Sequence, residues 1–184
     1  MALTPSTMTA LGSKAPDFTL PDTVTDKLIP LSAMRGETAT VIMFICNHCP
    51  FVLHINTALV KLANDYLSQG INFAAINANN IITHPADAPD KMKDIALQLQ
   101  YPFPYLYDET QEVAKAFDAA CTPDFFIYNK DLELVYRGQL DDSRPGNEIP
   151  VTGKDIRHAL DCMINNLPVP AEQRASIGCN IKWK

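Results

Sequence analysis

An apolar run, Val41-Ile42-Met43-Phe44-Ile45, stops at Cys46-Asn47-His48-Cys49-Pro50, and an amphipathic stretch begins there. The run is short and uniformly apolar, the pattern of a strand buried on both faces. Over residues 50–69 apolar side chains recur at Val52, Ile55, Leu59, Leu62 and Tyr66, and steps of three or four line one helix face. Gly70 can take the left-handed conformation that ends a helix. Ile71-Asn72-Phe73-Ala74-Ala75-Ile76 then reads as a second strand. A strand, helix and strand of these lengths form a right-handed crossover between parallel strands. The chain is therefore expected to be α/β, with two thiols at the strand-to-helix junction of that crossover.

The remaining segments extend this unit. Ala15-Pro16-Asp17-Phe18-Thr19-Leu20-Pro21-Asp22 reads as a short strand ended by a Pro-Asp turn, and residues 27–31 can pair with it as an N-terminal hairpin. Residues 77–89 read as a polar loop. A helix is expected over residues 90–99, with Met92, Ile95, Ala96 and Leu99 on one side. Residues 104–107 can form a short strand, and Asp108 can cap the helix carrying Val113, Ala116 and Phe117. Residues 125–128 and 132–136 form a hairpin around Asn129-Lys130-Asp131. The last helix spans about residues 154–165. Residues 167–184 have prolines and no helical period, and read as a C-terminal tail on a single domain of residues 1–184.

Two thiols spaced C-x-x-C at a helix start point to redox chemistry. The thiolate is the nucleophile, and a helix N-terminus lowers a cysteine pKa from about 8.5 toward roughly 3.5–7.5. Unpaired N–H groups and the helix dipole provide that stabilisation. His48, inside the dipeptide, can add a hydrogen bond or positive charge near either sulfur. Such a group favours the reduced form and makes the pair more oxidising. A structural zinc half-site also begins with C-x-x-C, but no second C-x-x-C or H-x₃-H is present.

Composition restricts the partners. With 47% hydrophobic and 20% charged residues, the chain is an ordinary globular one. A net charge of −6 argues against nucleic acid and anionic membranes. Residues 1–15 carry no secretory pattern, and no stretch approaches the roughly 20 apolar residues of a membrane span. Five cysteines do not make an even disulfide framework. A reduced, cytoplasmic setting is expected.

Four segments together resemble the alkyl hydroperoxide reductase/thiol-specific antioxidant (AhpC/TSA, redoxin) branch of the thioredoxin-like superfamily. These are Gly12-Ser13-Lys14-Ala15-Pro16-Asp17-Phe18, the segment from Cys46 to Pro50, Cys121-Thr122-Pro123-Asp124-Phe125-Phe126, and Gly178-Cys179-Asn180-Ile181-Lys182-Trp183. Within that branch the chain looks like a peroxiredoxin-like subgroup that keeps a C-x-x-C. The resemblance implies a thioredoxin-like fold, a central mixed sheet flanked by helices. It also implies a thiol–disulfide oxidoreductase cycling Cys46–Cys49, without a cofactor. The electron donor would be a thiol such as thioredoxin or glutathione, and the substrate a protein disulfide or a peroxide. In that superfamily a cis-proline, here Pro123 after Thr122, opens a strand edge on which an extended substrate can pair.

The order of attack has two readings. Thioredoxins attack with the first cysteine, here Cys46. Peroxiredoxins place a Thr three residues before a Cys-Pro, and on that register Cys49-Pro50 is the reactive pair. Pro50 itself favours Cys49 as the helix N-cap. The arginine that a peroxidase of this superfamily needs falls in alignment on Pro123, leaving Arg137 as a candidate substitute. The expectation is therefore thiol–disulfide exchange, with a thiol peroxidase second and a non-enzymatic metal- or client-binding module third.

Other residues carry less. Cys121 reads either as a further redox thiol or as a small core residue. Cys179 reads either as a resolving thiol in a flexible tail or as a surface thiol, and Cys162 reads as core. His54 reads as a surface or packing residue, while His84 and His158 carry no assignment. Asn77, Asn79 and Asn80 follow the second strand at its carboxyl end and read as turn formers near the site. Tyr101, Phe103, Tyr105 and Tyr107 read as core and turn. Oligomeric state has no signature in the sequence.

Overall fold

The computed structural model describes residues 3–184. Strands β1 (Leu3–Pro5), β2 (Thr19–Pro21) and β3 (Leu28–Pro30) lead in. They are followed by β4 (Ala39–Phe44), α1 (Pro50–Tyr66), β5 (Ile71–Asn77) and α2 (Pro89–Gln98). Next come β6 (Tyr105–Tyr107), α3 (Glu112–Ala116), β7 (Cys121–Thr122), β8 (Asp124–Asn129) and β9 (Leu134–Gly138). Helix α4 (Lys154–Ile164) and strand β10 (Ile177–Asn180) complete the order.

The central sheet runs β6-β5-β4-β8-β9, with β4, β5 and β6 parallel and β8 and β9 antiparallel to their neighbours. The expected mixed sheet, crossover helix and N-terminal β2–β3 hairpin are all present. All six residues of β4 are buried, as its unbroken apolar sequence requires for a strand covered on both faces. Alternation along it separates two cores. Val41 and Met43 pack with Val52, Leu59 and Leu62 of α1 and Leu160 of α4, whereas Ile42 and Phe44 pack with Phe18, Leu31, Phe117 and Phe126. Gly70 ends the first helical segment at φ 74°, after one 3₁₀ turn. Asp108 caps α3 from outside the N-cap position, which Gln111 occupies, and accepts the Ala114 N–H at 2.8 Å.

The tail differs from expectation. Within residues 167–184 β10 forms, sandwiched antiparallel between β1 and β7 in a small three-stranded sheet. Cys179 lies opposite Thr122 in the β10–β7 pairing. The last turns of chain are fastened to the carboxyl end of β5: Asn79 Oδ1 accepts the Lys182 N–H at 2.8 Å, and the Asn80 N–H donates to the Lys182 carbonyl at 2.8 Å. No helix among the described residues is long and apolar enough to cross a membrane.

Candidate active site

Strand β4 and helix α1 meet at residues 45–49. Cys49 is the N-cap of α1, with Pro50 at the first helical position, so the proline costs no hydrogen bond and the Cys49 sulfur lies at the positive helix end. Across from it the Thr122–Pro123 peptide is cis and joins β7 to β8. The Cys46 sulfur lies 3.4 Å from the Thr122 hydroxyl and the Cys49 sulfur 3.2 Å from the Thr122 carbonyl. The Cys179 sulfur, delivered by β10, is 2.9 Å from that of Cys49. Three thiols therefore converge, with solvent exposures of 1% for Cys46, 0% for Cys49 and 2% for Cys179. No disulfide links the cysteines in this structure.

Their acidities are pushed apart. Hydrogen bonds from the Cys46 thiol, the Cys179 thiol, the Val52 N–H and Thr122 outweigh burial and bring Cys49 down to about 4. Cys46 moves far above the ordinary thiol range, because it gives its hydrogen bond to Cys49, is buried and faces the Asp87 carboxylate. Burial and the neighbouring Cys49 push Cys179 up to about 12. Of the three thiols, Cys49 is thus the one favoured to ionise. Its ultraviolet thiolate absorbance should stay constant from pH 6 to 8, about two units above its pKa, whereas an ordinary cysteine would gain about tenfold per pH unit over that range. A titration rising through that window would contradict the assignment.

Asp87 was not recognisable as a site residue in the polar loop. It is fully buried and organises the C-x-x-C loop: Oδ1 accepts the Asn47 N–H at 2.8 Å, while Oδ2 lies 2.7 Å from His48 Nδ1 and accepts Asn79 Nδ2 at 2.8 Å. Asn47 also donates to the Ala86 carbonyl and accepts from the Tyr105 hydroxyl at 3.0 Å. His48 thus faces Asp87, where the sequence suggested a role at either sulfur. His84 stacks on it with ring centroids 5.0 Å apart. Cys46, His48 and Asp87 each bring one donor atom to within 4.8 Å of the others, and among the described residues they form the group suited to hold a cation.

The other sequence candidates lie elsewhere or play other parts. Cys121 is buried, directs its thiol to the Pro123 carbonyl at 3.5 Å, and is pushed up by burial and by Asp124. Cys162 is buried in α4, 3.9 Å from His158. His54 bonds Ser143 at 2.7 Å. Asn77 supports the Asp87 backbone carbonyl at 3.3 Å. Arg137 is fully buried on partners other than the C-x-x-C cysteines. Its guanidinium stacks over Phe126 in the second core at 4.7 Å and bonds Thr7, Thr9 and the Asp118 carbonyl.

The edge expected to receive an extended substrate is filled. β10 pairs with β7 there, and an added Cβ at Gly178 would lie 2.0 Å from the Thr122 carbonyl oxygen. Within the tail, read as flexible, Ile177–Asn180 is instead a strand whose Gly178 and Cys179 are buried.

A family model described as AhpC/TSA matches residues 11–137. An uncharacterized conserved protein from Geobacillus kaustophilus is similar at 58% identity and a TM-score of 0.98, over 100% of this chain and 97% of that one. A hypothetical protein from Sinorhizobium meliloti is similar at 45% identity and a TM-score of 0.96, over 98% of each chain. The peroxidoxin BcpB of Mycobacterium tuberculosis shares the fold at 19% identity and a TM-score of 0.57, over 68% of this chain and 82% of that one. No curated protein is significantly similar in sequence.

Proposed function

Since the chain belongs to the AhpC/TSA family and has a thioredoxin-like fold, which together mark a thiol-based redox enzyme, we propose that it is a thiol–disulfide oxidoreductase that cycles Cys46–Cys49, with Cys49 as the attacking thiolate. The observation that carries this reading is the Cys49 sulfur at a helix N-cap, 2.9 Å from the Cys179 sulfur and with its acidity raised by its neighbours' hydrogen bonds. Cys49 attacks a disulfide R–S–S–R, the S–S bond breaks, and R–S⁻ leaves as a mixed disulfide forms. The Cys46 sulfur then displaces the second R–S⁻, closing Cys46–Cys49. Its proton has an acceptor in the His48–Asp87 pair, within 4.8 Å. A thiol donor such as glutathione restores the dithiol.

This order reverses the thioredoxin expectation that Cys46 attacks. Because β10 fills the edge beside Thr122, a low-molecular-weight disulfide suits the site better than an extended protein segment. Peroxide reduction is the second reading, favoured by the Cys49-Pro50 register and the small access. It is weakened by Arg137, whose guanidinium is committed to the opposite core. Stopped-flow release of R–S⁻ tests the assignment. Cys49→Ser should abolish it, and Cys46→Ser should retain the first release. Rapid release from Cys49→Ser alone would return the nucleophile to Cys46. Faster reaction with hydrogen peroxide than with a small disulfide, giving a sulfenic acid on Cys49, would make the protein a peroxidase.

A further inference from the structure

We propose that β10 is an internal substrate strand, and that Cys179 is a third catalytic thiol that exchanges with the C-x-x-C. The proposal rests on the reading of Cys49 as nucleophile. Cys179 pairs opposite Thr122 on the β7 edge, and an extended substrate would pair on such an edge. The Cys179 sulfur lies 2.9 Å from the Cys49 sulfur, within reach for in-line exchange after small adjustment.

The strand is seated by design of its neighbours. Ser176 donates to the Pro123 carbonyl at 2.6 Å, Ser6 N–H donates to the Ser176 carbonyl at 2.8 Å, and Gly178 lets the two backbones approach where any side chain would collide. Beyond Cys179, the Lys182 backbone is bonded to Asn79 and Asn80. Cys179 is thus held at the reacting sulfur from both sides.

The step balances within the chain. From the Cys46–Cys49 disulfide, the Cys179 sulfur attacks Cys49. The Cys49–Cys179 bond forms, the Cys46–Cys49 bond breaks, and the proton of Cys179 passes to the departing Cys46 sulfur. No external oxidant is consumed. From a mixed disulfide on Cys49, the same attack expels R–S⁻. The oxidised protein therefore exists as two exchanging disulfides that share Cys49. One of them occupies the substrate edge.

The test uses full-length protein and hydroxyethyl disulfide, read by intact mass and peptide mapping. Cys46→Ser should end two hydrogens lighter, with a Cys49–Cys179 linkage and no adduct. Cys46→Ser/Cys179→Ala should keep a hydroxyethylthio adduct on Cys49. A lasting adduct on Cys49 in Cys46→Ser overturns the internal-substrate role and leaves the nucleophile reading intact. Adduct formation at Cys46 in Cys49→Ser, with Cys46→Ser inert, overturns the nucleophile assignment and the relay with it. Cys46→Ser leaves β10 unaltered, so that variant decides the matter even where the double variant does not fold.

Discussion

In a Gly178→Ala variant, iodoacetamide will label Cys49 and Cys179 about 5- to 150-fold faster than in the parent protein, because the new methyl unseats β10 by roughly 1–3 kcal/mol and raises the open fraction accordingly. The added Cβ would stand 2.0 Å from the Thr122 carbonyl oxygen, 2.6 Å from its carbon and 3.1 Å from the Pro123 nitrogen. All three are backbone atoms, so no side chain can swing aside. The strand itself must move. Its displacement uncovers the two sulfurs that it buries. Cys162, in α4 away from this sheet, serves as an internal control, and its labelling rate should not change. Equal rates for Cys49 in the two proteins would mean that β10 does not limit access.

Arg137→Met should cost about 3–5 kcal/mol of stability, because it leaves Asp124 buried without its countercharge. The two side chains are fully buried with their charged atoms 3.5 Å apart. Asp124 otherwise accepts from Ser6 Oγ at 2.5 Å, from the Ala120 N–H at 3.1 Å and from the Cys121 N–H, and burial already pushes its carboxyl above the usual range. Arg137 also ties Thr7 and Thr9 of the lead-in to the Asp118 carbonyl, so the loss reaches the β1 side of the small sheet. Urea unfolding reads the change. Arg137→Met/Asp124→Leu should recover at least about 1 kcal/mol relative to the single variant, since removing both charges avoids the orphaned carboxylate. A single variant within about 1 kcal/mol of the parent would mean that the pair adds little over its packing. Asp124 directly follows Pro123, so the same pair holds the strand that faces the thiols.

The sequence made the crossover legible because its signals are local. Val41 to Ile45, the period from Val52 to Tyr66 and the stop at Gly70 each lie within one element, and the structure reproduces them to within a residue or two at β4 and a terminal 3₁₀ turn after α1. β10 was not legible. Ile-Gly-Cys-Asn has weak strand propensity, and its formation depends on pairing with β1 and β7, more than 50 residues or the whole chain away. Asp87 was hidden for the same reason: its partners Asn47 and His48 are about 40 residues distant, and an acidic residue among Pro and Ala carries no periodic signal. Arg137 was read as a candidate substitute for the arginine of a peroxidase site, and the structure commits it elsewhere. Its burial is decided by Thr7, Thr9, Asp118 and Asp124, which no local pattern connects to it. The cysteine pair itself needed no long-range information, whereas the acidity order did, because it depends on Cys179 and Asp87.

Placing the third sulfur on β10 also fixes when the site comes into being. Ribosomes deliver the chain from its amino end, and β10 is the last of the described strands to emerge. Until residues 177–180 emerge, the nascent chain carries Cys46 and Cys49 without Cys179, and β7, once made, without its β10 partner. The two thiols are then open to any passing oxidant or chaperone. Pairing of β10 with β7 is what brings Cys179 to Cys49, so the acidity order depends on it. Maturation of the redox centre is thereby coupled to the arrival of this segment, so a ribosome-stalled fragment would carry the motif without its mature chemistry.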